Sequence, residues 1–151
     1  MSKLWSEYAA IPLRVVLALI FVVHGARTLF GIFGGGGIVT TGQELAGYGL
    51  VPGELWAVAS GLLGLLGGTA LLLGMLTRWV AGALAIEMVV SLLFINLRAG
   101  FFAPSGGVEF PLILLAALLS LMLSGPQHWA IDEQLPDWTG VARSREHKAH
   151  A

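Results

Sequence analysis

Apolar positions along the chain gather into four long runs, separated by short breaks of glycine, proline and polar residues. The first, Ile11 to Phe33, is long enough for a helix to cross a bilayer, which takes about 20 residues at 1.5 Å each. Further runs cover residues 54–74, 79–98 and 109–125. This pattern predicts an all-α membrane protein, a bundle of four transmembrane helices. Pro12 is tolerated in a first turn, where its missing donor is not needed. Gly34 to Gly37 break the first helix and Gly74 stops the second. Thr77-Arg78 make so short a turn that the second and third helices should be antiparallel neighbours.

Ile38 to Gly53 is too polar to span. Thr41-Gly-Gln-Glu44 matches a capping box, with Thr41 as N-cap and Glu44 reaching back to it. The expected element is a short interfacial or re-entrant helix between helices one and two, from about Gly42 to Tyr48, ending at Gly49. Leu45, Tyr48 and Leu50 form its apolar face; Gln43 and Glu44 are its polar residues, and Glu109 is a third polar loop-side group. Trp5 and Tyr8 read as an interfacial anchor. Residues 1–132 are expected to form one membrane domain, its fourth helix extending toward Trp129. Residues 133–151 form a polar tail, expected to be disordered and cytoplasmic. A cleaved signal peptide fits poorly: Glu7 sits in the would-be basic region, and the apolar run is too long and contains His24 and Arg27.

The 151-residue chain is 56% hydrophobic but only 11% charged, against about 25% charged for soluble domains. Mean hydropathy is +0.83. Net charge −1 supplies no basic stripe for nucleic acid. The absence of cysteine excludes, for this chain alone, thiol chemistry and cysteine-ligated clusters. Lys3, Arg14, Arg78, Arg143, Arg145 and Lys148 fall on one side of a four-span bundle, while the glycine-rich loops have no lysine or arginine. The positive-inside rule therefore predicts N-in and C-in, multi-pass, in the inner membrane of a bacterial or archaeal cell.

Ionisable groups inside the apolar runs are the candidate chemistry: His24 and Arg27 in the first, Glu87 in the third, and Arg98 near its end. Each costs about 3 kcal/mol in lipid, so such groups face protein or water and usually a partner. His24 and Glu87 should differ by about 7 Å along the membrane normal, which permits an Arg27–Glu87 or His24–Glu87 pair. Arg98 should lie near the outer surface beside Glu109, and Arg14 is placed to snorkel to the near surface. Gly61, Gly64, Gly67 and Gly68 allow close helix packing. Ser60, Ser91, Ser120 and Ser124 are expected to bond helix carbonyls.

No catalytic residue stands out. One intramembrane histidine does not make a haem or haem–copper centre, and His24 with Glu87 is a thin metal ligand set. Gly34 to Gly37 lack the Gly-Lys-Ser/Thr of a phosphate loop. Three readings of His24, Arg27, Glu87 and Arg98 stay open: an ion pair that fixes helix order, a site for quinone or another small hydrophobic ligand, and a transport path. In the second, a histidine donates to a quinone oxygen and a carboxylate takes its proton.

The motifs His24-Gly25-Ala26-Arg27-Thr28-Leu29, Phe33-Gly34-Gly35-Gly36-Gly37, Leu73-Gly74-Met75-Leu76-Thr77-Arg78, Gly100-Phe101-Phe102, Gly106-Gly107-Val108-Glu109-Phe110 and Gly125-Pro126 with Asp132 occur in this order. Together they resemble the DoxX family of small four-helix membrane proteins, over nearly the whole chain. The family typically has HGxxKL, where Thr28 now stands at the lysine position. Many members also carry an acid before the double glycine of helix two, where this chain has Gly64-Leu65-Leu66. The resemblance implies association with membrane redox chemistry, including quinone-coupled thiosulfate oxidation. The expected protein is an accessory or quinone-handling subunit in the lipid bilayer, partnered with a redox enzyme, with itself in a homo-oligomer, or both. Quinone is its candidate cofactor, and no haem or iron–sulfur cluster is expected in this chain alone. The alternative is a small-solute transporter or a membrane scaffold with a structural polar cluster.

Overall fold

The computed structural model describes residues 10–124. Helix α1 runs Ala10–Phe30 and α2 Gly37–Gly47. Helix α3 covers Gly53–Leu73, α4 Thr77–Phe94 and α5 Glu109–Ser124. Two short 3₁₀ turns, Asn96–Ala99 and Ala103–Ser105, link α4 to α5. Among the described residues there is no strand. Helices α1, α3 and α4 are long and apolar enough to cross a membrane; α5 is as apolar but has 16 residues. The chain is a helical membrane protein. The anchor expected at Trp5 and Tyr8, the extension toward Trp129 and the tail 133–151 lie outside the described residues.

Glycine sets two of the ends. Gly31 takes φ +69° and donates to the Arg27 carbonyl at 3.0 Å, so α1 stops at Phe30 rather than Phe33. Gly74, at φ +69°, caps α3 by donating to Leu71, while Met75 donates back to Ala70 at 2.9 Å. The left-handed conformation that these hydrogen bonds require carries no Cβ penalty in glycine. The third span is shorter than its apolar run: α4 ends at Phe94, and the backbone tightens into a 3₁₀ turn through Arg98.

Two further expectations are corrected. The capping box at Thr41 does not form; α2 begins at Gly37, with Gly36 at its N-cap and no side-chain cap. Tertiary packing holds that early turn, because Gly42 seats against the backbone of α3: a methyl group there would stand 2.8 Å from the Glu54 nitrogen. Arg14 does not snorkel. It is 6% exposed, because it shares the inward face of α1 with Leu17, Ala18 and Phe21 at helical spacing.

The antiparallel pair α1/α3 has the most extensive contact in the bundle, followed by α4/α5. Glycines let α1 and α3 touch along their backbones. A methyl group at Gly64 would lie 3.0 Å from the Phe21 carbonyl oxygen, and one at Gly68 would lie 2.9 Å from that of Ala18. Lower down, Leu17, Phe21, Leu71, Leu84, Leu118 and Leu121 pack into one apolar core. These residues come from the early part of α1 and α4 and the later part of α3 and α5. The α3–α4 turn therefore marks the closed end, and α2 with the α4–α5 linker marks the other.

Candidate functional site

The loop-side half of the bundle is hollow. A cavity of about 720 Å³ lies between the later turns of α1 and α4 and the early turns of α3 and α5, with α2 across its end. That volume suits a drug-sized or cofactor-sized molecule. Its walls are largely apolar (Ile20, Phe21, Leu63, Leu114), but every helix except α5 adds a polar group. Helix α1 contributes His24, Arg27 and Thr28; α2 contributes Thr40, Thr41, Glu44 and Tyr48. Ser60 comes from α3, Glu87 and Ser91 from α4, and Asn96 from the following turn.

Three of these polar groups share one depth. His24, Ser60 and Glu87 are each six or seven residues from the loop-side end of their helices, or about 9 to 11 Å at 1.5 Å per residue. Arg27 stands one turn nearer the loops. Ser60 Oγ donates a hydrogen bond to Glu87 Oε1 across the α3–α4 gap. Glu87 Oε2 is buried and has no hydrogen-bond partner among the described residues. Neither His24 nor Arg27 pairs with the carboxylate, so the proposed Arg27–Glu87 and His24–Glu87 pairs are both replaced by Ser60–Glu87. The reason is rotational: Glu87 faces α3, and α1 meets α3 through its glycine seam instead.

Asn96 stiffens the rim. Its amide nitrogen donates to the carbonyls of Gly106 (2.7 Å) and Gly107 (3.3 Å), and its oxygen accepts from Ser91 Oγ at 3.0 Å. Sequence reasoning missed Asn96. It also expected Ser60 and Ser91 to bond helix carbonyls, which holds for Ser124, bonded to Ser120, but not for these two. A signal for Ser60 was present: it and Glu87 lie nearly equidistant from Gly74, so an antiparallel hairpin brings them level.

The remaining candidates are elsewhere. Arg98 is exposed on the 3₁₀ turn and is not part of the cavity wall. Glu109 accepts from the Ala103 backbone nitrogen at 2.9 Å, tying the linker to the start of α5. Gln43 is exposed on α2, whereas its neighbour Glu44 lines the cavity. Among the described residues no three metal-ligating side chains converge.

The sequence profile of the DoxX family matches residues 9–97, more than half of the chain. A Bacillus subtilis protein named "Putative oxidoreductase CatD" is 29% identical over 126 residues, covering 83% of this chain and 86% of that one. A Mycobacterium tuberculosis protein, "Uncharacterized membrane protein Rv3486", is 32% identical over 97 residues, or 58% of this chain and 60% of that one. A Haemophilus influenzae protein of undescribed role is 26% identical over 129 residues, covering 81% and 87% respectively. No solved structure matches the chain.

Proposed function

The chain belongs to the DoxX family, and from that premise we propose that it is a quinone-handling subunit of a membrane redox system. One observation carries the reading: a cofactor-sized cavity at bilayer depth, with the donors His24 and Arg27 on one wall and the Ser60–Glu87 pair on another. A quinone ring offers two carbonyl oxygens on opposite edges, and its quinol offers two hydroxyls. His24 and Arg27 suit the first as donors; the Ser60–Glu87 pair suits the second. In this reading the chain binds and orients the ring. Electrons come from a partner enzyme carrying flavin, haem or thiol groups, and the name of the B. subtilis relative supports such company.

The closed half favours binding over transport. The layer of Leu17, Leu71, Leu84 and Leu118, each at most 2% exposed, interrupts any polar path through the bundle. We further assign α5 as the fourth span, with N-in and C-in, so that the cavity opens toward the extracytoplasmic side. That orientation rests on the positive-inside pattern of the sequence; among the described residues Arg14 and Arg78 lie toward the closed end, and Arg27 and Arg98 toward the cavity end.

Titration of the nanodisc-reconstituted chain with a decyl-substituted benzoquinone tests the reading, with quenching of Trp56 at the cavity wall as readout. Saturable quenching is expected, with affinity lowered about tenfold or more by His24→Ala and by Glu87→Gln in variants that elute as wild type. Wild-type affinity in both variants, or no saturable quenching in the unmodified chain, refutes it.

A further inference from the structure

We propose that the cavity takes its ligand sideways from the bilayer, between α3 and α4, as an amphiphile whose polar ring sits at Ser60–Glu87 and whose apolar tail stays in the gap. This rests on the quinone reading and specifies the form of quinone: tailed and membrane-dissolved. Trp56 and Ile86 both line the cavity and remain 41% and 68% exposed. Two large, exposed apolar side chains beside the cavity, one on α3 and one on α4, are where we place its opening. Small side chains, Ala59 on α3 and Ala83 on α4, line the same wall.

The gap is bounded below. A methyl group at Gly67 would already stand 3.4 Å from Leu84 and 3.5 Å from Val80, so α3 and α4 are close at that level. Nearer the loops the Ser60–Glu87 hydrogen bond crosses between the two helices. The α1/α3 seam differs, since its backbones meet at Gly64 and Gly68 and leave no room for a tail. Ala59 lies about 9 Å and Ala83 about 16 Å from the loop-side helix ends at 1.5 Å per residue. Both are within the depth of a hydrocarbon core about 30 Å thick. The cavity's two sides thus differ in chemistry. Its α2 side presents Thr40, Glu44 and Tyr48; its α3/α4 side sets the Ser60–Glu87 pair among Trp56, Ala59, Ala83 and Ile86, which suits a polar ring carrying a hydrocarbon chain.

The test compares two probes that share one dimethoxy-methyl-benzoquinone ring, one with a decyl tail and one without, on the full chain in nanodiscs. Ala59→Trp and Ala83→Trp fill the gap; Leu62→Trp, lipid-facing on α3 and outside the cavity wall, controls for added bulk. The expected result is that each gap variant lowers the preference for the tailed over the tailless probe by about tenfold, while Leu62→Trp keeps it. An unchanged preference in both gap variants overturns sideways access and leaves the quinone site standing. Failure of the unmodified chain to bind either ring overturns the quinone reading, and this inference with it. Far-UV circular dichroism and elution position identify any variant that misfolds; Ala59→Phe and Ala83→Phe then replace it with the same two outcomes.

Discussion

Substituting Gly68 with alanine tests the glycine seam that makes the bundle possible. The new methyl would stand 2.9 Å from the Ala18 carbonyl oxygen, 2.9 Å from the Val22 nitrogen and 2.9 Å from Val22 Cγ2. Two of these three are backbone atoms of α1, which cannot rotate away. Favourable contact begins near 3.5 Å, so α1 must move by about half an ångström along its best-packed face. Overpacking of this kind costs about 1 to 3 kcal/mol, and alanine's better helix propensity returns up to about 1 kcal/mol. A net loss of about 1 to 2 kcal/mol is expected, a five- to thirtyfold fall in the folding equilibrium. SDS-induced unfolding followed by circular dichroism measures it. Gly47→Ala is the internal control, because a methyl there meets nothing within 4 Å, and it should leave stability unchanged or slightly raised. A Gly68→Ala protein as stable as the wild type would refute the claim that α1 and α3 touch backbone to backbone.

Three further outcomes are expected. Leu118→Ala, at a fully buried site in the closed half, should cost about 2 to 5 kcal/mol in the same unfolding assay while the shape of the loop-side cavity persists. Asn96→Ala removes two donations to Gly106 and Gly107, so amide exchange across residues 100–108 should accelerate with little change in α1 or α3. Gly53→Ala drives a methyl into the Gly42 carbonyl, 2.8 Å from its carbon, and should unseat α2 from α3, seen as faster proteolysis between Gly31 and Pro52.

The three long apolar helices were legible because bilayer thickness fixes how many apolar residues a crossing helix needs, and composition reports that directly. Gly74 could be read as a stop, and the glycines of α3 as a packing seam, for equally local reasons. What the sequence did not display was rotation about each helix axis. Arg14 looked like a surface group from its place near the end of the run, but it shares a face with Leu17 and Phe21. Glu87 was visible as a costly carboxylate, whereas its partner depended on which face α4 turns to α3. The start of α2 was misread because Thr41 and Glu44 satisfied a local capping rule, and the long-range seat of Gly42 on Glu54 overrode it. His24 and Arg27 stood out as ionisable groups in an apolar run. Their placement on a cavity wall, apart from Glu87, needed the tertiary structure.

Photolabelling with an azido-quinone in native membranes, followed by mapping of the modified peptides, bears most directly on the hollow loop-side half as a quinone site. Labels confined to residues 20–28, 56–64 and 83–91, and displaced by unlabelled quinone, are the predicted result. Labels concentrated around Leu17, Leu71 and Leu118, or spread without displacement over the lipid-facing surface, would contradict it.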